Sequence, residues 1–119
     1  MTFASKKEYR RWKELCLLQR AGKITALQWQ VPFELIPAQK RTVETGERYI
    51  KNIPARGIRA GDPKTKEVTL EQSCVYVADF VYREDGRQVV EDTKGVRTAD
   101  YIIKRKLMLW VHGIKIKEV

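Results

Sequence analysis

The chain has 119 residues, 43% hydrophobic and 33% charged, a balance that suits one globular domain and excludes a wholly disordered chain. No stretch approaches the roughly 20 apolar residues of a membrane span, and Cys16, Cys74 and His112 supply neither a disulfide scaffold nor a zinc cage. The net charge of +9 sits at the ends: residues 1–30 and 94–119 each carry 7 basic and 2 acidic side chains, whereas 31–93 carry 10 basic and 11 acidic.

Basic ends favour a polyanionic partner, nucleic acid being the commonest. The opening MTFASKKEYRRW turns charged before the apolar run of a secretory signal could form, so a cytoplasmic protein is expected. Ser5 followed by Glu8 fits a capping box, and a helix is predicted over 5–21 with Ala21-Gly22 as its stop. At about 100° per residue, Tyr9, Trp12, Leu15, Cys16 and Gln19 gather inward with Glu8 among them, while Arg10, Lys13 and Glu14 point away.

Residues 24–36 alternate Leu27, Trp29, Val31, Phe33 and Leu35 against Gln28, Gln30 and Glu34, which predicts a strand. Pro32 marks an edge position or a bend in it. The pattern then weakens, broken by Gly46, Pro54, Gly57, Gly61 and Pro63. An inserted long hairpin or mobile loop is expected at about 38–70. Cys74–Tyr82 is a predicted strand, Glu84–Arg87 a tight turn, and Gln88–Lys94 a second strand. Thr98 caps a helix over Ala99–Val111, Gly113 closes it, and Ile114–Lys117 forms a last short strand. Trp12, Trp29 and Trp110 each fall in an apolar pattern and are assigned to the core. The order α-β-(insert)-β-β-α-β reads as one α/β domain over residues 1–119 with a mixed central sheet.

The hairpin register follows from its turn. A two-residue Asp85-Gly86 turn pairs Glu84 with Arg87, Arg83 with Gln88, Tyr82 with Val89 and Val81 with Val90. The same count sets Asp79 opposite Asp92, with Cβ atoms about 4.5–5.5 Å apart. Asp79 shares its face with Val75, Val77 and Val81. Lys94 shares the face of Asp92, while Glu91 and Thr93 point the other way. Facing carboxylates destabilise a sheet unless something compensates, and Mg²⁺ with its preference for hard oxygen ligands does so. The other reading is a solvated, charged hairpin end with Lys94 as an ordinary counterion.

Asp79, then twelve residues, then Asp92-Thr93-Lys94 resembles the signature of the PD-(D/E)xK nuclease superfamily. The element order resembles its restriction-endonuclease-like αβββαβ core. Within it the chain looks most like small phage-encoded endonucleases, through its SKKE helix start, QVPFEL strand, ADFVY strand, VVEDTKG strand and YIIKRKL helix. The resemblance spans nearly the whole chain except the insert. It implies that Asp79 and Asp92 hold the metal and that Lys94 orients or activates the attacking water. It also implies that Glu8 completes the site directly or through water, although a capping role explains Glu8 equally well. Ala78 stands where the signature has proline, and the second acid is Asp rather than the commoner Glu.

The expectation is therefore a Mg²⁺-dependent structure-specific DNA endonuclease, with Mn²⁺ able to substitute. Within the resembled superfamily the small basic chain looks most like a Holliday junction resolvase, phage or prophage encoded, acting in the bacterial host on four-way or other branched DNA. Two opposed cuts suit a homodimer, for which Tyr49, Ile50, Ile53 and Ile58 of the insert offer apolar groups. Lys6, Lys7, Arg10, Arg97 and Lys104 are candidate DNA contacts. Gln30, like Gln19, is a candidate for a phosphate contact or a buried hydrogen bond. The alternatives are a nicking or duplex endonuclease of phage DNA processing and a catalytically inactive DNA-binding protein.

Overall fold

In the computed structural model, which describes residues 2–119, helix α1 spans Lys6–Arg20. Ser5 is extended (φ −152°), and its hydroxyl accepts the Glu8 N–H at 3.1 Å, as the capping pattern requires. Residues up to Leu35 together with Val75–Val119 form one compact unit, and Ile36–Cys74 forms a second. No helix among the described residues is long and apolar enough to cross a membrane.

The first unit is mixed α/β. Its sheet runs in the order β1 (Thr25–Ile36), β4 (Cys74–Glu84), β5 (Arg87–Asp92), β6 (Lys117–Glu118). β4 and β5 are antiparallel with Arg83 opposite Gln88, Tyr82 opposite Val89 and Val81 opposite Val90, the register read from the turn. Asp85 and Gly86 both hold positive φ (51° and 76°), as a two-residue type I′ turn demands. β6 runs parallel to β5, so the sheet is mixed. It pairs at Lys117–Glu118, three residues later than the Ile114 start expected, because Ile114 is spent capping helix α2 (Ala99–His112). Gly113 N–H bonds the Leu109 carbonyl and Ile114 N–H the Met108 carbonyl, a left-handed cap with Gly113 at φ 68°.

The two helices cover opposite faces. Glu91 bonds Arg11 of α1, whereas its neighbour Asp92 bonds Tyr76, whose ring lies 6.4 Å from Tyr101 of α2. On the α1 face Leu15, Ile24, Phe80 and Tyr82 form a buried cluster, with Trp12 stacked on Phe80 at 5.9 Å and Trp29 packed beside it. Each such side chain contributes about 1.5–3 kcal/mol on burial. On α2 the buried residues are Tyr101 and Met108, two turns apart. That phase turns Trp110 outward, about 200° from Met108, and Trp110 is 87% exposed instead of in the core. Tyr9 is also exposed, beside Phe3 and under the Lys13 ammonium.

Two strands depart from simple alternation. Trp29 packs on the α1 side, yet Phe33 lies 5.8 Å from His112 of α2. Tyr76 faces Tyr101 of α2, yet Phe80 stacks on Trp12 of α1. Residues four apart should share a face, so β1 and its neighbour β4 each change phase once. In β1 the change coincides with Gln30, held at a left-handed φ of 56°, as in a bulge. The face expected to join Val75, Val77, Asp79 and Val81 is therefore not continuous, and Val77 is exposed while Val81 is buried.

The second unit is an ordered hairpin, which decides between the hairpin and the mobile loop expected for about 38–70. β2 (Gln39–Arg48) and β3 (Pro63–Glu71) pair antiparallel, with a short 3-10 turn at Pro54–Arg56 between them.

Candidate active site

The β4–β5 ladder ends at Phe80 opposite Glu91, one residue short of Asp79 and Asp92 on their strands. Asp79 Oδ2 accepts from both the N–H and the hydroxyl of Thr93, each at 2.8 Å. Thr93 was expected to point away from the pair. It does not, because β5 stops at Asp92 and the alternation stops with it. Asp92 is 1% exposed. Its Oδ2 accepts the Tyr76 hydroxyl at 2.6 Å, while its Oδ1 is buried without a hydrogen-bond partner. Lys94 Nζ stands 4.0 Å from that Oδ1 and 5.2 Å over the Tyr101 ring.

This arrangement is electrostatically loaded. Burial holds the Asp92 carboxyl above the ordinary range and the Asp79 charge adds to the rise, while the Tyr76 hydroxyl and the Lys94 charge oppose it. Tyr101, whose hydroxyl is also buried without a partner, is pushed up to about 12 by burial and by the Asp92 charge. A buried acceptor left open costs about 1–3 kcal/mol.

Glu8 is buried, but its oxygens are occupied. Oε1 accepts from Trp29 Nε1 (3.3 Å) and Gln30 Nε2 (3.0 Å), and Oε2 accepts from the Ala4 N–H (3.3 Å). Among the described residues no three His, Cys, Asp or Glu side chains gather as a ligand set. Glu8→Gln places an amide N–H where donors converge. It is expected to cost about 1–3 kcal/mol of stability, read as a lower denaturation midpoint, with the pair on β4 and β5 undisturbed.

Of the basic candidates, Lys104 lines a depression of about 210 Å³ with Lys94, Tyr76 and Tyr101, whose lining includes neither Asp79 nor Asp92. Lys7 and Arg10 line another, of about 240 Å³, that also reaches Thr93. Lys6 is exposed on α1. Arg97 is ion-paired with Glu118. Gln30 is engaged by Glu8, and Gln19 accepts the Leu27 N–H.

Sequence reasoning missed the partners of the pair, Tyr76 and Thr93, and a second buried charge. Glu91, fully buried, takes a bidentate contact from Arg11 at 2.8 and 2.7 Å and a hydrogen bond from the Tyr82 hydroxyl. Arg11 and Glu91 are 80 residues apart in the chain. The only local signal was a carboxylate on the core face of a strand.

Two carboxylates with an open buried oxygen suit Mg²⁺, which keeps several waters and is commonly held by one or two protein carboxylates. No curated protein and no solved structure matches the chain. The family described as "Protein of unknown function (DUF1064)" matches residues 1–116. With all but its last three residues covered, the chain belongs to the DUF1064 family.

Proposed function

We propose that this protein is a metal-dependent DNA endonuclease of the PD-(D/E)xK type, acting on branched DNA as a Holliday junction resolvase. The observation that carries the reading is that Asp79 and Asp92 lie one step past the end of the β4–β5 ladder, with Asp92 Oδ1 lacking a hydrogen-bond partner and Lys94 4.0 Å from it. The order α1-β1-β4-β5-α2-β6, with β2 and β3 set apart as an insert, supports a restriction-endonuclease-like core.

Asp79 and Asp92 would hold Mg²⁺, or Mn²⁺ in its place. The bound ion supplies charge neutralisation at the phosphate and acidifies water for phosphodiester hydrolysis. The chain's own groups prepare for this. Tyr76 and Thr93 each occupy one carboxylate oxygen and fix its orientation, as outer hydrogen bonds to ligands generally do. Lys94 presents a cation to the scissile phosphate and orients the attacking water. Lys104, which lines a depression together with Lys94, adds a second cation for the backbone. Two opposed cuts in a junction call for two sites, hence a homodimer.

The test uses labelled four-way junction, linear duplex of the same sequence and single strands, with Mg²⁺ and with EDTA. The junction is expected to be cut by paired nicks in opposed strands, well ahead of the duplex, and EDTA to abolish cutting. Equal cutting of duplex and junction would defeat the resolvase assignment and leave a duplex endonuclease. Failure on every DNA with either metal would leave a DNA-binding protein.

A further inference from the structure

The 36–74 hairpin has no catalytic pair, yet it is too ordered to be a mere connection. Its strands pair from Gln39–Glu71 to Arg48–Pro63, and almost all of their side chains are exposed on both faces. Such a ribbon buries little and builds no core. Its end is nonetheless organised. The Tyr49 N–H donates to the Asp62 carbonyl at 2.9 Å and the Tyr49 carbonyl accepts from the Gly61 N–H at 2.7 Å, while Ile53 and Ile58 exchange two more bonds of 2.8 and 3.1 Å. Asn52 and Asp62 side chains accept the N–H groups of Ala60 and Arg59, each at 2.8 Å.

Apart from the Asp62 carboxylate, that frame presents positive charge. Residues 48–61 contain Arg48, Lys51, Arg56 and Arg59 and neither Asp nor Glu. Arg48 is turned back onto the Gly61 carbonyl. Lys51, Arg56 and Arg59 are exposed and form no ion pair among the described residues. The whole-chain count hides this cluster, because carboxylates elsewhere in 31–93 balance it.

Most apolar groups of the tip are engaged within it. Ile53 and Ile58 face each other across a bridge, and Tyr49 lies under the Lys64 ammonium at 5.3 Å. Within residues 48–61 Ile50, 89% exposed, is the one exposed large apolar side chain, far short of the roughly 800 Å² per partner of a stable interface. Unpaired cations on a rigid tip suit a polyanion instead. A two-stranded ribbon is also narrow enough to enter the major groove of a duplex, about 12 Å wide.

We infer that the 36–74 hairpin is a nucleic-acid-binding arm whose tip sets Lys51, Arg56 and Arg59 against the phosphates of a DNA duplex. The choice of DNA rests on the function proposed above. The contacts are of the phosphate kind, which position a duplex without reading its bases.

The experiment measures binding of the full chain to a labelled duplex and a four-way junction by fluorescence anisotropy, in EDTA, between 50 and 200 mM salt. Replacing Lys51, Arg56 and Arg59 together by alanine is expected to flatten the slope of log K against log salt by about 2.7. Across this range the variant then loses about 40-fold less affinity than the wild type. The charge-preserving set Lys51→Arg, Arg56→Lys and Arg59→Lys should keep the wild-type slope. An unchanged slope in the alanine variant overturns the arm while sparing the nuclease reading. A flattened slope in a protein that cuts no DNA supports the arm and sinks the nuclease reading. Binding to anionic lipid vesicles but not to duplex would overturn the arm as a DNA element.

Discussion

Asp79→Asn and Asp92→Asn are each expected to lose DNA cleavage by on the order of 10³-fold or more while junction binding is kept or tightened. The loss follows from removing several kcal/mol of charge stabilisation at the reacting phosphate, at one factor of ten per 1.36 kcal/mol. Binding holds because one negative charge fewer faces the phosphates. Stability should move the other way from activity. Folded Asp92 has its carboxyl raised by burial and by Asp79, so the folded state binds the proton more tightly than the unfolded chain does. The resulting penalty is absent below the ordinary carboxylate range. It grows as pH rises through the raised value and is complete above it. In EDTA at neutral pH, Asp92→Asn should therefore melt above the wild type, and the difference should vanish in acid. Mg²⁺ at about 100 times its Kd should stabilise the wild type by about 2.7 kcal/mol and leave the variant unmoved. Retained cleavage in either variant would remove the pair from the chemistry.

The second large effect lies on the other face of the sheet. Arg11→Ala should cost about 3–5 kcal/mol, because it strands the Glu91 charge in a fully buried position. The Arg11 guanidinium is held strongly in its charged form, chiefly by its hydrogen bonds to Glu91. The Tyr82 hydroxyl is pushed up by burial and then by the same carboxylate. These groups act as one network. Replacing both ends, Arg11→Met with Glu91→Leu, should restore most of the loss, since an apolar pair avoids desolvating two charges. Urea denaturation midpoints read both outcomes. A single-variant cost below about 1 kcal/mol would mean that Glu91 finds water or another donor.

The elements and the hairpin register were legible because they rest on local chemistry. Ser5 and Thr98 cap, Gly113 closes, and Asp85-Gly86 admits only a tight turn. A fixed turn then counts the register as far as Phe80 opposite Glu91 with no tertiary knowledge, since a strand has period two. That same rule failed wherever the period broke. At Gln30 and between Tyr76 and Phe80 the strands change phase, so Tyr76 turns to Asp92 while Phe80 keeps to α1. Beyond the end of β5, Thr93 turned back to Asp79.

By itself the sequence determined an α/β chain with basic ends, two capped helices and the register of one hairpin. Only the tertiary structure decided how those aspartates are held, by Tyr76 and Thr93. It also decided that Glu8 is tied to Trp29 and Gln30, and that Arg11 answers Glu91 across 80 residues. The reason is physical. Periodicity and caps act over one or two turns of chain, whereas the partner of a buried charge is chosen by packing between distant elements. The whole-chain charge count could likewise give no sign that one hairpin tip gathers Lys51, Arg56 and Arg59 with no ion pair among the described residues. Strand pairing over 39–71 does that, by folding a mixed-charge segment so that its cations share the end.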